Sequence, residues 1–154
     1  MDSFSERELS LEVIMPLIKE RLAAGQSVKF MPKGVSMLPM LRQGVDSVLI
    51  TRASKPLKRY DLPLYQRADG TFVLHRVVGF KDGYLCIGDN QYTRFEKVEQ
   101  SQIVAVVSKF YRGEKEHSVE ETGYKIYCRV WHHSRFLRRV MRALKVRFVR
   151  LFKS

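Results

Sequence analysis

The hydrophobic period of this chain changes twice, and those two changes constrain the fold more than any motif does. Residues 5–25, SERELSLEVIMPLIKERLAAG, set Leu11, Ile14, Ile18 and Leu22 at spacings of three and four, with acids at the start and Gly25 as a stop. That pattern predicts an N-terminal helix within residues 1–26. Pro16 is expected to bend the helix or divide it in two. From 27 to 111 the period falls to two. The runs VKFMP, DSVLI, LPLYQ, TFVLHRVVGF, YLCIGD and QIVAVVSKF are short, rich in β-branched and aromatic residues, and separated by Gly, Asp and Lys turns. RADGT (67–71) and KDG (81–83) read as hairpin turns. Six such strands predict a mainly β domain, a small barrel or coiled sheet. RGEKEHSVEETG, 112–123, reads as a polar linker, and residues 124–154 return to a helical period.

At 154 residues the chain is long enough for one domain with a sizeable core. No window approaches 18 uncharged apolar residues, so no transmembrane helix is expected. The acidic, polar start MDSFSERELSLEV is unlike a signal peptide, which makes the cytoplasmic side the expected location, free or peripheral on a membrane. Cys86 and Cys128 lie far apart without metal-like spacing, and two buried reduced thiols are expected. None of His75, His117, His132 and His133 pairs with a cysteine at zinc-site spacing, so neither metal nor cofactor is expected.

The net charge of +12 is concentrated in one place. Residues 1–121 balance at +2, whereas 122–154 carry ten Lys/Arg and no acid. Within the 124–154 tail, helical spacing gathers Leu137, Val140, Met141, Leu144, Phe148, Leu151 and Phe152 on one face. Arg135, Arg138, Arg139, Arg142, Lys145, Arg150 and Lys153 fall opposite. Two arrangements satisfy this pattern. The helix packs its apolar face on its own domain, or it lies on an anionic membrane surface through both faces. Nucleic acid is the third-ranked partner, because the aromatics sit on the apolar face and are not interleaved among the arginines for base stacking.

Chemistry enters with KGVSMLPMLRQG, 33–44. A serine after a glycine is ordinarily a turn residue, and becomes a nucleophile only when a base takes its proton. His75 lies in FVLHRVVGF on a face shared with Val73 and Val77, and the KDG hairpin brings the next strand and its GDN (88–90) alongside. A carboxylate at Asp89 would fix the imidazole's tautomer and stabilise its cation. Each piece alone also has a plain structural reading: a loop hydroxyl, a half-buried histidine, a turn aspartate.

GVSMLPMLRQG, FVLHRVVGF and LCIGDNQ, in this order and over roughly residues 28–107, resemble the conserved boxes of type I signal peptidases and their relatives, the self-cleaving LexA-type repressors. The histidine before Arg76 resembles the endoplasmic-reticulum and archaeal branch, where the bacterial branch has lysine. The resemblance implies a serine endopeptidase with Ser36 as nucleophile, His75 as general base and Asp89 as its partner. Gly34 and Val35 would flank an oxyanion hole, Met37 would line the substrate groove, and Pro39 would stiffen the turn. It further implies an extended leader peptide with a small residue before the scissile bond, added as a strand to an open sheet edge. The chain departs from the family in showing no membrane anchor and in reading GVDS, where Asp46 is expected to be structural. Rival readings are a catalytically silent domain that binds a membrane or partner through the same fold, and a nucleic-acid-binding protein.

Overall fold

A computed structural model of the chain describes residues 11–151. The first helix, α1 (Leu11–Ala23), buries Met15, Ile18 and Leu22, with Leu11 and Ile14 packed at the margin of the same core. Residues 5–10 of the expected helix lie outside the described residues. Pro16 does not divide α1, which runs through it as one helix. Gly25, at φ 78°, closes the helix: its N–H donates to the Leu22 carbonyl and that of Gln26 to the Arg21 carbonyl.

Nine strands follow, in two antiparallel sheets with no closed barrel. The larger sheet orders β1 (Val28–Phe30), β2 (Ser47–Thr51), β8 (Ile103–Arg112), β3 (Pro63–Gln66) and β4 (Phe72–Leu74). The smaller orders β5 (Arg76–Phe80), β6 (Tyr84–Ile87) and β7 (Glu96–Val98). β8 is long enough to pair with β2 along one side, and with β3 and then β9 (Lys115–Ser118) along the other. The RADGT and KDG turns form the β3–β4 and β5–β6 hairpins.

Three boundaries differ from expectation. The run over 71–80 is not one strand but two, cut at His75, where the chain leaves the larger sheet and enters the smaller. The segment 112–123 is not a linker: it turns at Gly113 (φ 63°) into β9, whose His117 stacks on Phe110 at 5.1 Å. The helical segment expected over 124–154 is, over its described residues, two helices and not one. α2 (Thr122–His133) buries Tyr124 and Cys128 in the main core, and a break at Ser134 separates it from α3 (Arg135–Leu151). Phe152 and Lys153 lie outside the described residues.

Two apolar clusters result. The larger joins α1, α2 and the big sheet through residues such as Ile18, Val48, Leu64, Val107 and Cys128. The smaller lies under the small sheet and includes Tyr65, Val77, Cys86 and Val98. Both cysteines are buried and unpaired. No described helix is long and apolar enough to cross a membrane.

Candidate active site

Ser36 sits in the loop that leaves β1. Three neighbours fix that loop. The backbone N–H of Asn90 donates to the Ser36 carbonyl at 2.8 Å, and the Asn90 side-chain amide donates to the Val35 carbonyl at 3.1 Å. Gly88 passes so close that a Cβ there would stand 2.5 Å from the Ser36 carbonyl oxygen, so only glycine fits the approach. The third support is Asp46, whose carboxylate accepts from the Arg42 backbone N–H, the Arg42 guanidinium and the Gly113 N–H. Those bonds, Arg42's guanidinium first, hold Asp46 down to about 2, and its part is structural.

His75 reaches Ser36 from the junction between the two sheets. Its Nε2 lies 3.3 Å from Ser36 Oγ. The imidazole is only 2 % exposed, and that burial pushes it down to about 4 against the opposing pull of Glu96. It is therefore neutral near pH 7, with Nε2 free to accept from the Ser36 hydroxyl.

The expected partnership between His75 and Asp89 is not what the structure contains. The Asp89 carboxylate is buried and forks onto Arg76, with Nε to Oδ1 and Nη2 to Oδ2 both at 2.8 Å. Tyr127 of α2 donates to Oδ2 at 2.9 Å, and the Trp131 indole donates to the Asp89 backbone carbonyl at 2.8 Å. Arg76, fully buried itself, donates also to the Tyr60 carbonyl, the Tyr124 hydroxyl and Cys128 Sγ. Burial opposes the Arg76 charge, but Asp89 outweighs it and the guanidinium stays ionised. The physical reason for the correction is that a buried guanidinium demands a paired carboxylate more strongly than a neutral imidazole does.

What faces His75 Nδ1 instead is the Tyr65 hydroxyl at 3.2 Å, with Glu96 Oε1 at 3.7 Å. Glu96 itself is held by the Arg67 guanidinium. Arg67 foremost keeps the Glu96 carboxyl below its usual range, and burial raises the Tyr65 phenol, so one is ionised and the other neutral. With Nε2 as acceptor, Nδ1–H donates to the Tyr65 oxygen. Tyr65 was findable: the RADGT hairpin sets it opposite Val73, on the face His75 shares. Glu96 gave no such signal, because β7 reads as a charged loop.

A groove of about 330 Å³ opens over this pair, lined by Ser36 and His75, by Pro32, Lys33 and Gly34 after β1, by Phe72–Leu74 of β4, and by Gln91 and Arg94. Met37 reaches the groove from a buried position in the main core. Val35 and Pro39 are exposed and outside the groove lining, and the Gly34 N–H donates to Gln43 Oε1, so it is not an oxyanion donor.

The basic residues of α3 divide. Arg135 is 8 % exposed, donating to His132 Nδ1 and lying over the Phe95 ring at 5.6 Å, so it is no contact for an external anion. Arg138 stacks on Trp131 at 3.6 Å and, with Arg142, lies over Tyr92. Arg139, Lys145 and Arg150 stay exposed. Of the two arrangements, packing of the apolar face on the domain is not the one present: the arginine side meets the 92–95 loop.

Among the described residues no three His, Cys, Asp or Glu side chains gather into a metal-binding cluster. The chain matches no protein-family model and no curated protein sequence.

Proposed function

We propose that this chain is a serine endopeptidase of the kind its three boxes resemble, a signal-peptidase-like enzyme that cuts extended leader peptides after a small residue. The observation that carries the reading is the 3.3 Å approach of a neutral, buried imidazole nitrogen to the hydroxyl of a clamped serine.

The chemistry follows from that pair. A polypeptide lies in the groove along β4, whose outer edge pairs with no strand among the described residues. Ser36 Oγ attacks the carbonyl carbon before the scissile bond as its proton passes to His75 Nε2. The carbonyl oxygen takes the negative charge, and this reading assigns the Ser36 backbone N–H as its donor, the Gly34 N–H being bonded to Gln43. The imidazolium gives its proton to the leaving amine, the C–N bond breaks and an ester to Ser36 remains. A water, losing its proton to the same nitrogen, hydrolyses that ester and restores the serine. Tyr65 and Glu96 hold the ring in the required tautomer, and Glu96 stabilises its transient charge.

The test is cleavage of membrane-fraction polypeptides by the chain and by Ser36→Ala, read as new N-termini with Ala, Gly or Ser before the cut. The unsubstituted chain is expected to generate them and Ser36→Ala to generate none at an unchanged melting temperature. Equal products from both proteins would refute the assignment. Products from neither would favour the silent, binding-only reading.

A further inference from the structure

The face of α3 that points away from the domain is apolar. Leu137, Met141, Leu144 and Leu151 recur at spacings of four, three and seven, and all are at least 60 % exposed. Phe136 adds to the exposed apolar surface at the helix start, and from Met141 onward every described residue is exposed. The opposite side is already engaged, since Arg135, Arg138 and Arg142 rest on Phe95 and Tyr92. The helix thus holds to its own domain by its cations and offers its hydrophobic side outward.

We infer that α3 is a docking surface for an anionic lipid bilayer, lying in the interface with this stripe inserted among the acyl chains. Charge selects the occupant. All seven ionisable residues of α3 are basic. At helical spacing Lys145 falls on one side of the stripe and Arg147 on the other, and both border the shallow apolar groove of Leu144, Phe148 and Leu151. A second copy of the chain would bring cation rows against cation rows, which is repulsive in either orientation. Anionic headgroups instead meet the flanking ammonium and guanidinium groups while the stripe leaves water. At 17 residues with these charges α3 lies on a bilayer and does not span it. The inference does not depend on the peptidase reading.

The experiment is flotation of the full chain with phosphatidylcholine vesicles, with and without phosphatidylglycerol, at low and high salt. Binding is expected only with phosphatidylglycerol, weakening as salt rises. Met141→Glu with Leu144→Glu should lower partitioning by roughly tenfold or more, and Lys145→Glu with Arg147→Glu by several-fold. Phe80→Glu, on an exposed β5 residue far along the chain, should bind like the parent. Equal binding to both vesicle types, or binding indifferent to the Met141 and Leu144 changes, would overturn the inference. So would a concentration-dependent dimer in vesicle-free solution that those changes abolish, or binding to duplex nucleic acid in preference to vesicles. Ser36→Ala should float like the parent, so failure of the peptidase reading and failure of docking are separate results.

Discussion

Two acids near the histidine have different duties, and substitution separates them. Glu96→Gln removes the charge behind Tyr65 and His75 while leaving the core filled, so turnover should fall by about 10–100-fold with little change in melting temperature. The same change removes an influence that raises the His75 pKa, and the acid limb of the rate profile should move further down. In the parent that limb is expected at about 4, below the ordinary imidazole range, because buried His75 resists protonation until then. Asp89→Asn should act otherwise: it leaves the Arg76 charge buried and half-paired, costing about 3–5 kcal/mol of stability seen as a lowered denaturation midpoint. Stability itself should depend on His75. The unfolded chain takes up a proton near pH 6.5 that the folded chain refuses until about 4, so stability falls as pH drops through that window, by of order 3 kcal/mol. Denaturant titrations of the parent and His75→Gln across pH 4–7 check this, the variant showing the shallower slope. Ser36 and His75 were legible because each stood in a specific box. Asp89 was visible too, but its duty was misassigned, since a one-dimensional reading overlooks Arg76 as a competitor for the carboxylate.

On the peptidase reading, the GDN turn positions the Ser36 nucleophile without sharing in proton transfer. Gly88 allows the close pass, Asn90 ties the Val35 and Ser36 carbonyls, and Asp89 anchors the turn to Arg76. Gly88→Ala should therefore displace the Ser36 loop and reduce cleavage by roughly tenfold or more, although its backbone needs no left-handed φ. Unchanged kcat/KM in that variant would contradict the clamp. Alternating apolar residues made β1–β6 and β8 readable, whereas β7 and β9 escaped notice. Their residues, EKV and KEHS, are mostly charged, as befits strands at sheet margins where one side meets water. The cut at His75 escaped as well, because Leu74 and Arg76 continue the same alternation while the chain changes sheets.

The C-terminal fifth divides into a part that completes the fold and a part that extends from it. α2 supplies Tyr124, Tyr127, Cys128 and Trp131 to the Arg76–Asp89 pair, so removing residues 122–154 exposes a buried ion pair and should leave no cooperative thermal transition. Among the described residues, ending the chain after Val140 removes only exposed ones. That shorter protein should keep its stability to within about 1 kcal/mol and cleave a soluble peptide normally, while losing vesicle binding. The amphipathic pattern of α3 was plain from the residue spacing, but its orientation was not. Which face a helix turns inward depends on what its neighbours offer, and here Tyr92, Phe95 and Trp131 offer aromatic rings to guanidinium groups. The junction at His75 carries one last consequence. Ser36 arrives with the large sheet, the turn that grips it with the small one, and the imidazole with the bend joining them. A nascent or half-unravelled polypeptide consequently lacks the Ser36–His75 pairing, and on the peptidase reading it would acquire its blade only on completing its own assembly.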